Sequence, residues 1–279
     1  MPNDDRARLL ALDLDGTLVS PGDKVDPRDA AAIEAARAEG VTVTLATGRL
    51  GAGALGVARA LGLTAPLICA DGGLLICPES GDPLEQLTID PRDMENVLAA
   101  FRAHELSPFA LVSDAVHGDE AGARHEAYVA SWAPRVVLHP GALEQSAAWR
   151  AQGALLAMGI GPEASARAAE SALCQSAGPT LDITAFTLLG DVWAVRAQPP
   201  GCTKGRALAR LAERLGVPRD RVAAVGDWHN DISMFLWSAR SFAMGHAPAP
   251  VREAATDILT ATAATGGGVA EAIARWLGH

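Results

Sequence analysis

Leu10-Ala11-Leu12-Asp13-Leu14-Asp15-Gly16-Thr17-Leu18 is an apolar run of strand length that ends in two carboxylates on a Gly-Thr turn. Alternate side chains of a strand share a face, so Asp13 and Asp15 point the same way if the strand continues that far. Gly16 favours a break instead, after which both acids meet one ligand from different directions. Paired carboxylates at the end of a buried strand suit a hard cation and a phosphate. The alternative is an ordinary Asp-rich turn after a core strand.

The composition indicates a globular chain with a sizeable core. Its 279 residues (28.8 kDa) are 49% hydrophobic and only 20% charged, enough for one large domain or two unequal ones. The formal net charge of -10 gives no general attraction for nucleic acid or anionic lipid. We therefore expect a small-molecule substrate, no nucleic acid or membrane partner, and a monomer or homodimer.

The cysteines and the N-terminus indicate a soluble, cytoplasmic protein. The four cysteines are scattered without CxxC or metal-ligand spacing, so reduced thiols are expected. Residues 1–8 are polar and charged, unlike a signal peptide, and no apolar run approaches the length of a membrane span.

Strands and helices alternate at both ends of the sequence, as in a doubly wound parallel sheet. Pro27 follows Asp26 as at a helix start, and Gly40 and Gly216 stand where helices end. The sequence predicts strands over 41–46, 66–70, 222–225 and 241–244, and helices over 27–39, 53–61, 204–215, 232–238 and 268–277.

Between these parts the pattern changes to that of an α+β insert with antiparallel strands. Gly190-Asp191 is typical of a hairpin turn. We expect residues 1–82 and 199–279 to form the core and residues 83–198 a second domain. Its predicted strands are 87–89, 109–112, 136–138, 154–160, 180–188 and 192–195, and its predicted helices are 91–104 and 162–176.

A second acidic stretch, Gly226-Asp227-Trp228-His229-Asn230-Asp231, comes after a predicted strand and opens a helix. Three oxygen-bearing side chains around one turn provide the ligand type that Mg²⁺ prefers. The alternative is a helix cap, in which Asn230 or Asp231 only accepts backbone hydrogen bonds.

Two weaker motifs also stand beside strand ends or helix starts. Thr47-Gly48-Arg49 comes after a strand, and its hydroxyl and amides are suited to an anion; a capped loop with a surface Arg is the alternative. Lys204 opens a helix, where the macrodipole disfavours a cation, which suggests a specific role; otherwise it is a solvated side chain.

Together, these four motifs resemble those of the haloacid dehalogenase superfamily, in its Cof-type, class IIB phosphatases. The resemblance covers essentially the whole chain, with the insert between the second and third motifs. It implies an α/β fold: a Rossmann-like, doubly wound parallel sheet with an inserted α+β cap domain. It also implies Mg²⁺-dependent phosphoryl transfer through an aspartyl-phosphate.

The resemblance assigns roles to the motif residues. Asp13 would be the nucleophile, and Asp15 the acid that protonates the leaving group and then the base that activates water. Thr47 and Lys204 would complete the catalytic set. Mg²⁺ would be held by Asp13, the Asp15 carbonyl, Asp227 and Asp231, and the phosphoryl group by Thr47, Lys204, the amides of Leu14 and Gly48, Arg49 and Asn230.

The chain departs from the family pattern at three places. Asp71-Gly72-Gly73 stands where Asn-Gly-Ala is usual, Trp228-His229 replaces smaller residues, and His246 replaces Asn. We expect these departures to reshape the substrate pocket; none of them replaces one of the acids or the lysine. For leaving-group recognition, the candidates in the insert are Arg124, His125, Trp132 and Arg135.

The sequence thus predicts a cytoplasmic Mg²⁺-dependent phosphatase of small phosphorylated metabolites, with sugar phosphates foremost. One alternative is a phosphosugar mutase of the same fold, although no second phosphate-binding cluster is evident. Another is a non-catalytic phosphometabolite-binding protein, although a binder needs neither Asp13 nor Asp15.

Overall fold

The structure is a computed structural model that describes residues 7–130, 133 and 135–278, so Trp132 lies outside the described residues. The chain divides into two compact units. The first consists of residues 1–48, 54–84 and 203–279, and the second of residues 49–53 and 85–202. No helix among the described residues is long and apolar enough to cross a membrane.

The first unit contains a five-stranded parallel sheet. Its strand order is β16 (Asp257–Ile258), β15 (Arg240–Ala243), β14 (Val222–Gly226), β1 (Arg8–Leu12) and β4 (Val41–Leu45). Strand β1, which pairs with β14 on one side and β4 on the other, is apolar throughout its buried part, as a parallel strand covered on both faces must be. This confirms the predicted doubly wound α/β fold. Its elements before the insert are β1 (Arg8–Leu12), β2 (Val19–Ser20), β3 (Lys24–Val25), α1 (Pro27–Ala38), β4 (Val41–Leu45), α2 (Gly51–Ala60, which begins in the second unit), β5 (Leu67–Cys69), β6 (Leu74–Ile76) and β7 (Pro83–Gln86).

The second unit is a six-stranded, mostly antiparallel sheet in the order β10-β9-β8-β11-β13-β12. Its core includes Phe101, Trp149 and Leu173, all at most 1% exposed. The expected α+β character of the insert is confirmed. The elements are α3 (Pro91–Ala103), β8 (Ser107–Leu111), β9 (Val116–Asp119), α4 (Glu126–Val129), β10 (Val136–His139), α5 (Ala147–Gln152), β11 (Leu156–Pro162), α6 (Glu163–Ala177), β12 (Asp182–Leu189) and β13 (Val192–Gln198).

The first unit resumes with α7, whose start is capped by the Thr203 hydroxyl and whose end is the left-handed Gly216. Seven elements complete it: α7 (Lys204–Leu215), β14 (Val222–Gly226), α8 (Ile232–Trp237), β15 (Arg240–Ala243), α9 (Ala249–Ala254), β16 (Asp257–Ile258) and α10 (Gly268–Leu277).

Two sequence expectations about strands are corrected. The predicted strand over 87–89 is wrong: the strand is β7, three to four residues earlier, and Ile89 is a buried loop residue whose amide bonds to the Ala154 carbonyl. Strand β9 was not predicted, because Val116-His117-Gly118-Asp119 carries polar and glycine residues in place of a β-branched run.

Two histidines of the insert form a hydrogen-bonded pair on neighbouring strands β9 and β10. Nδ1 of His117 lies 2.8 Å from Nε2 of His139, and the ring planes differ by only 14°. His117 is 3% exposed, and its Nε2 is buried without a hydrogen-bond partner. A bare lone pair there costs less than a buried N–H, which favours the tautomer in which His117 donates from Nδ1 to His139.

Candidate active site

The carboxyl ends of β1 and β14 lie side by side at the point where the strand order reverses. The chain runs from β1 to β4 on one side of the sheet and from β14 to β16 on the other. Asp13 comes directly after β1 and Asp227 directly after β14, and the Asp13 amide donates to the Val225 carbonyl at 2.9 Å. Ligands of open α/β sheets bind at this kind of switch point.

Three buried carboxylates converge there. Oxygens of Asp13, Asp227 and Asp231 lie within 4.8 Å of one another. The three residues are 5%, 7% and 0% exposed. Acids this well buried need a compensating cation.

Lys204 provides one such cation from the first residue of α7. Its Nζ lies 2.6 Å from Oδ1 of Asp13 and 2.6 Å from Oδ1 of Asp231, and the residue is 1% exposed. This explains why a lysine is tolerated at a helix start: the two carboxylates outweigh the unfavourable macrodipole.

Three glycines make room for this arrangement. A Cβ on Gly16 (φ +85°) would lie 2.5 Å from Oδ2 of Asp227, and one on Gly226 would lie 2.4 Å from Oδ2 of Asp231. A Cβ on Gly205 would lie 2.1 Å from the Ser233 carbonyl of α8, so the start of α7 can approach α8 only because residue 205 is glycine.

Asp231 is folded back onto the turn that precedes it. Its Oδ2 accepts hydrogen bonds from the amides of Asp227 (2.8 Å) and Trp228 (2.9 Å). The 3-10 turn His229–Asp231 brings this carboxylate over the end of β14. The same residue therefore orders the loop that carries Asp227 and faces Lys204.

The pKa shifts reflect a cluster with too few cations. Burial and the charge of Asp231 raise the pKa of Asp13 well above its usual value, against the pull of Lys204. Burial also raises the pKa of Asp227. For Lys204, burial lowers the pKa, but Asp13, Asp231 and Asp71 raise it further, so the ammonium stays charged.

The donor set fits a divalent cation. When all three carboxylates are ionised, the single ammonium of Lys204 leaves a surplus of two negative charges in a buried site. All the acidic ligand atoms are oxygens, which suits Mg²⁺ better than a softer metal. Asp13, Asp227 and Asp231 are the side chains that would hold it.

Most of the chain matches the family of haloacid dehalogenase-like hydrolases; the matched residues are 10–135 and 179–273. This chain belongs to that family. The resemblance inferred from the four motifs is thereby confirmed.

This haloacid dehalogenase-like hydrolase is similar in sequence to two named phosphatases and similar in structure to a solved hydrolase. A phosphoglycolate phosphatase of Methanothrix thermoacetophila is 41% identical over 86 residues, which are 31% of this chain and only 38% of that relative. An HMP-PP phosphatase of Cronobacter sakazakii is 27% identical over 86% of this chain and 85% of its own length. A haloacid dehalogenase-like hydrolase from Bacteroides thetaiotaomicron has a solved structure with a TM-score of 0.81 and 25% identity, covering 96% of this chain and 99% of that one.

The remaining residues singled out in this hydrolase lie at or near strand ends. Thr47 lies just beyond β4 and is 1% exposed, Gly48 after it is exposed, and Asp15 is exposed in the turn after β1, where Leu14 is fully buried. Arg49 belongs to the second unit, where its Nη1 donates to the Gly53 carbonyl.

Asn230 contacts a residue that departs from the family pattern. Its Nδ2 donates to Oδ1 of Asp71 at 2.8 Å. Ala70 and Asp71 have positive φ (49° and 52°), a conformation that asparagine and aspartate tolerate better than most residues. The extra carboxylate of Asp71 is thus engaged by an amide, and its charge raises the pKa of Lys204.

Sequence reasoning missed two residues that hold Asp227. The Thr17 hydroxyl donates to Oδ1 at 2.9 Å, and Nε2 of His246 lies 3.2 Å from Oδ2. Two of the departures from the family pattern therefore act on the acids and the lysine, because His246 contacts Asp227 and the charge of Asp71 raises the pKa of Lys204. Thr17 belongs to the first motif, but His246 is 19 residues beyond Asp227 and has no local signal.

Proposed function

We propose that this hydrolase is a Mg²⁺-dependent phosphatase that hydrolyses small phosphorylated metabolites through an aspartyl-phosphate on Asp13. The main support for the proposal is that Lys204 contacts both Asp13 and Asp231 at the switch point of the sheet. Asp227 lies beside these two acids. A buried ammonium and a buried acid triad match a reaction in which a phosphoryl anion and a divalent cation meet.

The proposed first step uses two acids of the first motif. A carboxylate oxygen of Asp13 attacks phosphorus, the bond to the leaving oxygen breaks, and Asp15 donates its proton to that oxygen. The burial of Asp13 and the exposure of Asp15 suit these roles, because the nucleophile needs a desolvated site and the acid must reach the leaving group.

The second step regenerates the enzyme. Asp15 takes a proton from water, the water oxygen attacks phosphorus, and the bond from phosphorus to Asp13 breaks. Lys204 keeps its proton throughout and stabilises charge on the phosphoryl oxygens, together with Thr47, Asn230 and the Leu14 and Gly48 amides. Mg²⁺ held by Asp13, Asp227 and Asp231 would supply charge neutralisation for this chemistry.

For the substrate, we propose a phosphorylated metabolite chosen by the insert, residues 83–198 acting as a cap on a core of residues 1–82 and 199–279. Sugar phosphates are the class to test first. In the insert, Arg124 is held by the Ser107 hydroxyl and Arg135 pairs with Asp114. The net charge of -10 supports a small substrate over nucleic acid, and we place the activity in the cytoplasm.

The test is phosphate release from a panel of phosphorylated sugars, nucleotides and cofactors, with Mg²⁺ and with EDTA. Wild type is compared with Asp13→Asn and with Asp220→Asn, an exposed aspartate of the same unit. We expect metal-dependent release that only Asp13→Asn abolishes. Absence of release with every substrate, or release unaffected by Asp13→Asn, contradicts the proposal, and phosphosugar isomerisation without release would indicate a mutase.

A further inference from the structure

The carboxylate of Asp227 is restrained at both oxygens. Thr17 donates to Oδ1 and His246 contacts Oδ2. Gly16 adds a steric limit, because even a Cβ at that position would lie 2.5 Å from Oδ2. This acid therefore has little freedom to rotate, unlike an exposed aspartate.

The second nitrogen of His246 determines which proton the ring carries. Nδ1 accepts the amide proton of Ala263 at 3.2 Å, so Nδ1 is a lone pair. The ring proton is then on Nε2, which donates to Oδ2 of Asp227. This is the arrangement in which a backbone group fixes the tautomer of a histidine that acts on a ligand.

The loop that carries His246 is itself held close to residues 259–263. The Gly245 amide bonds to the Ala261 carbonyl at 2.9 Å. A Cβ on Gly245 would meet the carbonyls of Leu259 and Ala261 at 2.8 and 3.1 Å. The backbone that carries His246 is therefore closely packed, although the His246 side chain is 33% exposed.

We propose that His246 is a positioning residue that fixes Asp227 in the orientation needed to bind a divalent cation. The inference rests on the metal-dependent function proposed above. A neutral imidazole suits this role because it orients the carboxylate without adding a positive charge that would compete with the cation. A lysine at the same place would orient the carboxylate but would also add a positive charge that competes with the cation.

The experiment measures Mg²⁺ binding to the substrate-free protein by isothermal titration calorimetry, with Mn²⁺ as a second probe. Variants are His246→Leu, which removes the donor, and His246→Gln, whose terminal amide restores one. His104→Leu removes an imidazole at the end of α3, in the second unit, as a control. We expect His246→Leu to raise the dissociation constant about 10- to 100-fold, His246→Gln to recover most of the loss, and the control to match wild type.

Two further measurements separate the possible failures. Urea unfolding in EDTA checks that His246→Leu is folded, and Asp227→Asn checks the site itself. If Asp227→Asn abolishes binding while His246→Leu binds as wild type does, the positioning role is overturned and the proposed function stands. A loss in His246→Leu that His246→Gln does not recover also overturns it. Full binding by Asp227→Asn, or none by wild type, overturns the metal site and the inference together.

Discussion

Lys204 donates to Oδ1 of Asp13 across 2.6 Å, although 191 residues separate the two in the chain. Both side chains are almost fully buried, and the same ammonium contacts Asp231 at an equal distance. Removing one partner of a buried ion pair leaves the other charge uncompensated, which costs far more than losing a surface pair.

Lys204→Met should therefore abolish phosphate release and destabilise the metal-free protein by about 3–5 kcal/mol near neutral pH. Urea unfolding in EDTA measures the second effect. Lys24→Met is the matched control, because Lys24 is exposed in the small β2-β3 hairpin. Equal stability of Lys204→Met and wild type would contradict this prediction. It would mean that protonation of the buried acids compensates for the missing ammonium.

The acid cluster predicts how stability depends on pH when metal is absent. The folded-state pKa values of Asp13 and Asp227 are raised above 3.8 by burial. Groups shifted upward stabilise the fold below the unfolded pKa, and this contribution is lost as pH rises through the folded values. Metal-free protein should thus lose stability from about pH 4 upward, and Asp13→Asn should lose less.

At the proposed metal site, Mg²⁺ should reverse that loss, because it would bind only the folded, ionised cluster. At 100 times its dissociation constant it should add about 2.7 kcal/mol to the free energy of unfolding. Urea unfolding at several pH values, with EDTA and with Mg²⁺, measures both effects. An equal effect of Mg²⁺ on wild type and on Asp227→Asn would contradict the assignment.

Gly205→Ala should impair activity more than a helical glycine substitution normally does. A methyl group would meet the Ser233 backbone at 2.1 Å, so α7 must move away from α8 and carry Lys204 with it. Gly56→Ala in α2 is the control, because a Cβ there meets nothing within 4 Å and should stabilise the helix by about 0.5–1 kcal/mol. Comparable kinetics and stability of the two variants would show that α7 tolerates the shift.

The paired histidines of the insert predict an acid-sensitive element. Burial, then the neighbouring His139, lower the pKa of His117 below 6.5. A downward shift of a histidine stabilises the fold above the unfolded pKa, and this contribution is lost as pH falls through the folded value. Stability should therefore decline below about pH 6.5, and less so in His117→Leu. A parallel decline in both proteins would contradict this role, with His104→Leu as control.

Local sequence was sufficient for the strands beside the candidate site and for the identity of its acids, but it missed short elements of the first unit such as β6 and β16. Apolar runs that end in Asp13 and Asp227 mark buried parallel strands, and the residues just beyond such strands lie at one edge of the sheet. The insert was less predictable: β9 has little β propensity, and Ile89 is buried in a loop because tertiary packing overrides a short apolar run.

The sequence by itself determined the family, the order of the four motifs and the identity of the acids at the switch point. This was possible because each motif consists of residues that are close together in the chain. Only the tertiary structure decided that Lys204 joins Asp13 to Asp231, that Asp71 holds Asn230, and that His246 and Thr17 hold Asp227. Most of these contacts join residues far apart in the chain. Their geometry depends on how α7 and the loop after β15 pack on the sheet, for which no local pattern exists.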